Sequence, residues 1–257
     1  KTISTTRFTQ PAMVAVANMA TLLLKKNGIT PDYVCGLSLG EYSALSAAGV
    51  FDPETAIQVV RERGLAMEKA AEGVESAMMA ILGLEREPLL DICVGCDGYV
   101  SIANYNCPGQ LVIAGEKKAV EEAGQKALDH GARRAVPLNT SGPFHTKLLK
   151  DASTRLHEVF KDVTFHEMNV PVIFNCTGKE LEDCSVQEML EKQVMSPVYF
   201  EDSIRTMINN GVDTIIEIGP GKVLSSFVRK IDRKIKTYQV EDMASLQKCV
   251  EAFNETK

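Results

Sequence analysis

Ser38 lies at the centre of a Gly-x-Ser-x-Gly motif that runs from Gly36 to Gly40. The motif follows apolar residues typical of a buried strand and precedes residues that favour a helix, which is the order of a nucleophile elbow. Neither glycine has a Cβ atom, so we expect the strand and the helix to approach closely around a strained turn. The N–H of Leu39 is then placed to stabilise the oxyanion formed when the Ser38 hydroxyl attacks a carbonyl. Alone, the motif also fits an ordinary turn, and its flanks favour the elbow.

A serine nucleophile requires a base, and histidine is the usual one at neutral pH. His145 follows the loop 141–144, between a predicted strand and a predicted helix, where catalytic side chains of α/β folds are expected. His130 lies at a predicted helix end, and His157 and His166 lie in amphipathic or linking stretches. No acidic residue between positions 38 and 145 stands out as a third member. We therefore predict a Ser–His dyad oriented by a backbone carbonyl, the alternative being that His145 merely begins a helix.

Arg63 lies on the helix predicted after the elbow helix. A buried arginine in this place could hold a substrate carboxylate through two parallel hydrogen bonds. Taken without further context, an arginine on a helix usually belongs to a solvated face, and that is the favoured interpretation from the helix alone.

The composition is that of a globular protein, with 45% hydrophobic and 24% charged residues among 257. The net charge of −6 argues against nucleic-acid binding, and no apolar run approaches the roughly 20 residues that span a bilayer. We see no signal peptide, and the odd number of cysteines, 7, favours reduced thiols in a cytoplasmic protein. Cys93 and Cys96 have the spacing of a zinc or redox pair. No second pair follows, so free thiols near a helix end are favoured and no metal site is predicted.

Strands and helices alternate through most of the chain, which predicts a mostly parallel sheet covered on both faces. With the elbow, this pattern predicts an α/β-hydrolase-like core formed by residues 1–75 and 140–257. Residues 76–139 differ, because their order β-α-β-β-α-β is that of a ferredoxin-like unit, which we interpret as an inserted subdomain. The predicted helices are 10–27, 39–48, 53–71, 85–93, 117–130, 146–160, 186–194, 200–210, 223–231 and 243–253. The predicted strands are 33–37, 76–84, 99–106, 110–115, 133–139, 170–175, 213–218 and 236–240.

Six stretches, in order along the chain, resemble the malonyl-CoA:acyl carrier protein transacylase family and the related acyltransferase domains of polyketide synthases. The resemblance implies transfer of a malonyl group from malonyl-CoA to the phosphopantetheine thiol of acyl carrier protein in fatty-acid biosynthesis. It implies a seryl ester intermediate, ping-pong kinetics and no bound cofactor. The stretches are 9–12, 36–45, 63–67, 104–115, 142–145 and 217–224.

The resemblance also implies the catalytic roles. Ser38 would be the nucleophile, and His145 the general base that later protonates the departing thiol. The Leu39 N–H would form half of the oxyanion hole, and the backbone carbonyl of Gln193 would orient the histidine. Family members often have histidine before the nucleophile, where this chain has Leu37. We regard the side chain at this position as supportive rather than chemical and discount the difference.

The same resemblance implies the substrate contacts. Arg63 would pair with the malonyl carboxylate, which reverses the interpretation favoured from its helix alone. Met67 and Phe144 would line the acyl pocket, and the phenylalanine goes with malonyl rather than methylmalonyl because its ring fills the space of the extra methyl. A methyl group is worth only about 1–3 kcal/mol in such a pocket. Gln10 and Asn106 are the remaining substrate-binding candidates.

Two features concern what surrounds the site. The family pattern begins with a strand and a Gly-Gln-Gly loop that supplies a second oxyanion contact, and the sequence has no counterpart of that segment. A polypeptide without it is expected to expose a sheet edge and to lose about 10²–10³ in rate.

Acyl carrier proteins are acidic, so docking requires a local basic face. The alternative interpretation of the candidate residues is a solvated helix end. The candidates are Arg229, Lys230, Arg233, Lys234 and Lys236.

Three other functions stay open. A trans-acting polyketide-type acyltransferase would differ only in its carrier partner. A serine esterase or thioesterase would share Ser38 and His145, would transfer acyl groups to water and would not need Arg63. A non-catalytic module that binds carrier protein would leave Ser38 unacylated.

Overall fold

The computed structural model describes residues 5–255, so the outermost residues of the predicted core segments, 1–4 and 256–257, lie outside the described residues. The helices are α1 Thr6–Lys26, α2 Gly40–Ala47, α3 Pro53–Ala71, α4 Arg86–Val94, α5 Lys117–Asp129, α6 Lys150–Phe160, α7 Val186–Gln193, α8 Phe200–Asn209, α9 Val223–Ile231 and α10 Met243–Asn254. The strands are β1 Val34–Cys35, β2 Ser76–Leu82, β3 Val100–Cys107, β4 Gln110–Glu116, β5 Arg134–Pro137, β6 Val172–Ile173, β7 Thr214–Ile218 and β8 Lys236–Val240. A short 3₁₀ turn precedes α6.

Local signals explain where α3 begins and why α1 can pack on it. The Asp52 side chain accepts a hydrogen bond from the Thr55 N–H at 2.9 Å, and Pro53 occupies the first turn of α3. On the face toward α1, a Cβ atom on Gly64 would lie 2.9 Å from the Cα of Arg7. This glycine therefore permits the close approach of the two helices.

Helix α1 begins about one turn earlier than the predicted start at residue 10. The Thr5 carbonyl accepts from the N–H groups of Phe8 and Thr9, which closes the first turn. The side chain of Arg7 pairs with Glu68 of α3 at 2.5 Å. These contacts hold a first turn that lies before the predicted start, so Pro11 falls inside the helix.

The core strands pair in parallel, in two separate sheets. β1 pairs with β6, with Val34 opposite Val172, and β7 pairs with β8. The predicted sheet is thus parallel in the core but divided, and the strand predicted at 170–175 contributes only two residues. Beyond Ile173 the backbone finds other partners: Phe174 bonds with Lys179, and Asn175 with a side chain of α2.

Residues 76–139 form a four-stranded antiparallel sheet in the order β3-β4-β2-β5, with α4 and α5 packed against it. Its elements follow the predicted order β-α-β-β-α-β. The turn between β3 and β4 contains Gly109 at a φ of 67°, where glycine is favoured. A separate apolar cluster, including Ile81, Leu89, Ile113 and Val120, fills the space between sheet and helices.

The largest apolar cluster lies under the elbow and joins α1, α2, α3, α6 and α7. Val14, Tyr42, Val60, Leu156 and Leu190 are unexposed members of the cluster, one from each of these helices. Burial of such side chains is worth about 1.5–3 kcal/mol each, so the cluster rigidly supports the residues above it. Among residues 5–255, no helix has the length and hydropathy that a membrane crossing requires.

Candidate active site

The Gly-x-Ser-x-Gly motif forms a tight turn between β1 and α2. Ser38 has a φ of 55°, in the left-handed region that strains most side chains. A Cβ atom on Gly36 would lie 1.9 Å from the carbonyl carbon of Gly40, so the first glycine is required for the turn to close. The same argument does not hold for Gly40, because a Cβ atom there would meet nothing within 4 Å. Our expectation that both glycines relieve crowding was wrong for the second.

His145 lies against the serine. Its Nε2 is 2.7 Å from Ser38 Oγ, and its Nδ1 is 2.9 Å from the backbone carbonyl oxygen of Gln193. A carbonyl only accepts, so Nδ1 carries the hydrogen and Nε2 is left to accept from the serine hydroxyl. His145 has a φ of 61° and is, with Ser38, one of the two non-glycine residues of positive φ in the described part of the chain.

Helix geometry explains why the Gln193 carbonyl is available. Gln193 is the last residue of α7, and the final carbonyls of a helix have no intrahelical partner. Ser185 and Glu188 form a capping box at the other end of α7, which fixes where the helix begins. The neighbouring Val194 carbonyl accepts from the His145 N–H at 3.2 Å, so the end of α7 holds both the backbone and the ring of the histidine.

Burial sets the protonation state of His145, which is only 3% exposed. Desolvation, and then the positive charge of Arg63, lower the pKa of the imidazole to about 4. The ring is therefore neutral at pH 7, which is the form that can take a proton from Ser38.

Arg63 is buried in the same site, at 1% exposure, so the solvated-face interpretation was wrong. One terminal nitrogen donates to Gln10 Oε1 at 2.9 Å. The other donates to Ser38 Oγ at 3.1 Å and to Gln193 Oε1 at 3.0 Å. The guanidinium carbon also lies 5.2 Å from the centre of the Tyr42 ring, a cation–π distance. Neutral groups thus orient the cation toward the serine.

The charge of Arg63 has no paired carboxylate among residues 5–255, and its Nε has no hydrogen-bond partner there. Burial lowers the pKa of the guanidinium, the direction expected for a cation removed from water. Burial also raises the pKa of the nearby Glu41 to about 8, so that carboxyl is largely protonated at pH 7. The site is consequently positive and suited to an anion.

The sequence analysis missed Asn175, which is fully buried beneath the elbow. Its Nδ2 donates to the Gly36 carbonyl at 2.5 Å, and its Oδ1 accepts from the Ser38 N–H at 2.7 Å. It also missed the side chain of Gln193, whose Nε2 donates to the Ser38 carbonyl at 2.7 Å. No local signal marks Asn175, because its place depends on the register between β1 and β6.

The remaining candidates are placed as follows. Met67 is 3% exposed, and its sulfur accepts from Gln10 Nε2 at 3.4 Å, which puts both beside Arg63. Phe144 is half-buried and packs on two apolar clusters. Leu39 directly precedes α2. Asn106 is buried near the end of β3, and its Oδ1 has no hydrogen-bond partner within residues 5–255. Their contacts with substrate stay predictions.

Three of the five predicted docking residues line a cavity of about 590 Å³, which we call the basic groove. Lys234 and Lys236 do not line it. Arg133, which the sequence analysis did not single out, brings a fourth cation from the bend just before β5. The lining residues are Pro108, Gly109, Arg133, Arg229, Lys230, Arg233 and Ile235.

The described part of the chain contains no group of three or more His, Cys, Asp or Glu arranged to hold a metal ion. Cys93 and Cys96 are free thiols, Cys93 in the last turn of α4 and Cys96 just beyond that helix. Burial raises the pKa of Cys93 to about 12, so this thiol is not poised for reaction.

Over residues 1–257 the chain matches the acyl transferase domain family, and it therefore belongs to that family. It is 44% identical over 250 residues to the malonyl CoA-acyl carrier protein transacylase of Bacillus subtilis (strain 168), covering 96% of this chain and 79% of that protein. The family resemblance drawn from the six stretches is confirmed.

Solved structures agree with the sequence comparison. The malonyl CoA-acyl carrier protein transacylase from Clostridium perfringens superposes with a TM-score of 0.94 at 41% identity, covering 99% of this chain and 81% of that chain. A malonyl-transacylase in complex with its type II PKS acyl-carrier protein has a TM-score of 0.94 at 36% identity, covering 97% and 82%. The mixed α/β fold is thus shared with these proteins.

Proposed function

We propose that this chain transfers a malonyl group from malonyl-CoA to the phosphopantetheine thiol of acyl carrier protein, in fatty-acid biosynthesis. The observation that carries the proposal is the buried Arg63, which donates to Ser38 Oγ at 3.1 Å and lacks a carboxylate partner among the described residues. In a malonyl group a methylene alone separates the reacting carbonyl from a carboxylate. An acyl group on Ser38 therefore brings that carboxylate to the guanidinium. The relatives named malonyl CoA-acyl carrier protein transacylase support the same substrate.

In the first half-reaction, Ser38 Oγ attacks the thioester carbonyl of malonyl-CoA while His145 Nε2 takes its proton. The Leu39 N–H, at the start of α2, stabilises the oxyanion of the tetrahedral intermediate. The carbon–sulfur bond then breaks, and His145 gives the proton to the sulfur of the departing coenzyme A. The hydrogen bond from Nδ1 to the Gln193 carbonyl stabilises the imidazolium that exists between these two transfers.

In the second half-reaction, the phosphopantetheine thiol of the carrier protein gives its proton to His145 and attacks the seryl ester. The tetrahedral intermediate collapses, the bond between the acyl carbon and Ser38 Oγ breaks, and Oγ regains the proton from the histidine. The carrier leaves with the malonyl group and the enzyme returns to its starting state. This sequence is ping-pong, and none of its steps requires a bound cofactor.

Selectivity follows from the groups around Arg63. The side-chain amides of Gln10 and Gln193 hold the guanidinium without neutralising it, so its charge remains for the substrate carboxylate. Met67 and Phe144 line the remaining space of the acyl pocket. The phenylalanine ring restricts branching, which favours malonyl over methylmalonyl by about 1–3 kcal/mol.

Replacing Arg63 with alanine tests the proposal. We expect kcat/KM for malonyl transfer to fall by about 10²–10³-fold, because a buried charge pair with the substrate is lost. Acetyl transfer, which has no carboxylate to pair, is expected to fall by less than about tenfold. Rates of Ser38 acylation by malonyl-CoA and by acetyl-CoA are the measurement. Arg155→Ala, on the exposed face of α6, is the matched control and should alter neither rate.

An equal loss for both acyl groups in Arg63→Ala would remove the selective role of the arginine. Rapid hydrolysis of both thioesters by the unaltered chain, without transfer to a carrier thiol, would favour the serine thioesterase instead. Melting temperatures of both variants establish that the comparison is between folded proteins.

We also propose that acyl carrier protein docks at the basic groove. Four cations line it, and no carboxylate is among the lining residues. A structural relative of this chain was solved bound to a type II PKS acyl-carrier protein. That similarity makes a carrier protein of polyketide synthesis the second candidate acceptor.

Charge reversal tests the groove. In Arg229→Glu/Arg233→Glu we expect the apparent KM for carrier protein to rise about 10-fold, because complementary charge across an interface is replaced by repulsion. Acylation by malonyl-CoA alone should be unchanged. Steady-state kinetics with varied carrier protein and single-turnover acylation provide the two readings. Lys161→Glu, at the end of α6, is the control; an unchanged KM in the groove variant would contradict docking there.

We further propose that residues 1–75 and 140–257 form an α/β-hydrolase-like core and that residues 76–139 are a ferredoxin-like subdomain inserted into it. The antiparallel order β3-β4-β2-β5, the two covering helices and the separate apolar cluster support the second assignment. The parallel pairs and the elbow support the first.

The free cysteines of the described residues support a cytoplasmic location.

A further inference from the structure

The side chain of Asn175 bridges the elbow from beneath. We propose that Asn175 is a positioning residue that holds Ser38 in its left-handed conformation and thereby aligns Oγ with His145 Nε2. The inference deepens the proposed function and rests on Ser38 being the nucleophile. Neither the Gly-x-Ser-x-Gly motif nor the family resemblance pointed to this residue.

The pairing of β1 with β6 explains why Asn175 reaches the elbow. Cys35 lies opposite Ile173 in parallel register, the last pair of the two strands, and Asn175 follows Ile173 by two residues just as the elbow follows Cys35. Its carboxamide donates to the Gly36 carbonyl at 2.5 Å and accepts from the Ser38 N–H at 2.7 Å. One planar group thus closes a ring across the turn, a task that requires a donor and an acceptor side by side.

Asn175 is itself held on several sides. Its own N–H donates to Glu41 Oε2 at 2.5 Å, and its carbonyl accepts from the Tyr199 N–H at 2.8 Å. Gln193 Nε2 lies 3.5 Å from Asn175 Oδ1 and donates more closely to the Ser38 carbonyl. Both the N–H and the C=O of Ser38 are therefore bound by buried amides that have little freedom to move.

This arrangement affects the reaction in two ways. Because the Ser38 N–H is bound to Asn175, its φ of 55° is maintained and Oγ stays 2.7 Å from His145 Nε2. Without the bridge, serine can return toward negative φ, which turns Oγ away from the base. Among residues 5–255 the Leu39 N–H has no hydrogen-bond partner, so it is available to the oxyanion.

The test uses Asn175→Ala and Asn175→Asp, where the aspartate keeps an acceptor for the Ser38 N–H but loses the amide donor to Gly36. We measure labelling of Ser38 by a fluorophosphonate probe, which reports the nucleophile without any acyl-CoA, together with kcat and KM for malonyl transfer. We expect labelling and kcat to fall together by about 10- to 100-fold in both variants, with KM within about twofold, because misalignment of a reacting atom carries that cost. Val120→Ala, in the separate cluster around α5, is the control for lost stability.

Labelling at the unaltered rate in a folded Asn175 variant, or a loss confined to KM, would overturn the inference. So would an equal loss of labelling in Val120→Ala at the same drop in melting temperature. If Asn175→Ala does not fold, Asn175→Asp decides the matter. Failure of the proposed function is distinguishable, because the unaltered chain would then react with the probe but gain no malonyl group from malonyl-CoA.

Discussion

Ser38→Ala is expected to abolish the malonyl-enzyme and to lower kcat for malonyl transfer by about 10⁴–10⁶-fold, as for the loss of other serine nucleophiles. The reason is that no other hydroxyl is described against His145 Nε2, which lies 2.7 Å from Ser38 Oγ. Single-turnover kinetics with malonyl-CoA and carrier protein provide the measurement. Alanine removes only the oxygen, so binding of malonyl-CoA should persist.

The matched control is Ser46→Ala, on the same helix as the elbow, whose hydroxyl contacts the Phe51 carbonyl at 3.4 Å. It should retain nearly full activity. Turnover by Ser38→Ala within about tenfold of the unaltered chain would contradict covalent catalysis at this residue and would favour direct transfer between the two thiols.

Replacing His145 has the next largest expected effect. We expect His145→Asn to slow acylation by about 10²–10⁴-fold, the usual contribution of a general base. Asparagine suits this position better than alanine because it tolerates the left-handed φ of 61°. His157→Asn, at an exposed histidine of α6 that pairs with Glu191, is the control and should leave the rate unchanged.

The pH profile of kcat/KM provides an independent reading of the same residue. A pKa of about 4 means that the neutral imidazole, the form that accepts a proton, predominates at every pH above that value. We expect the acylation rate to stay level as the pH falls from 7, where the Glu41 carboxyl is already largely protonated, to 5. It should decline only as the imidazole protonates near pH 4. A decline centred near 6.5, the ordinary value for histidine, would contradict a buried neutral base. Circular dichroism at each pH confirms that the chain remains folded.

Local sequence signals were enough to place Ser38 and much of the fold. Few other structures are open to a serine that lies between two glycines, after an apolar run and before residues that favour a helix. The structure agrees, since the turn leaves no space for a Cβ atom at Gly36. The helix start at residue 53 and the β-α-β-β-α-β order of residues 76–139 were also predicted, since caps, turns and alternation act over a few residues. These predictions agree with the structure to within a turn or less.

Arg63 and Asn175 show where such reasoning ends. Periodicity cannot decide whether an arginine on a helix faces water or a site, because the answer depends on which side chains accept its hydrogen bonds. For Arg63 these are Gln10 and Gln193, which lie 53 and 130 residues away. Asn175 is 137 residues from the serine that it holds. The packing of the helices brings Gln10 and Gln193 to Arg63, and the pairing of β1 with β6 brings Asn175 beneath the elbow. Only the folded chain displays these relationships.

The sequence also did not predict that the core strands pair in two separate sheets. An apolar run at 170–175 predicts a strand of full length, yet only Val172 and Ile173 pair with β1. The residues that follow bond to Lys179, to Glu41 and to Tyr199 instead. The observed strand β6 ends before Asn175, the last residue of the predicted strand, whose side chain binds the elbow.

Intact-mass spectrometry of the purified chain, before and after mixing with malonyl-CoA in the absence of carrier protein, tests the central claim most directly. We predict that the mass increases by one malonyl group, that the increase is absent in Ser38→Ala, and that adding phosphopantetheinylated carrier protein removes it. A chain whose mass does not change, while its Ser38 reacts with a fluorophosphonate and malonyl-CoA stays intact, would contradict malonyl transfer through a seryl ester.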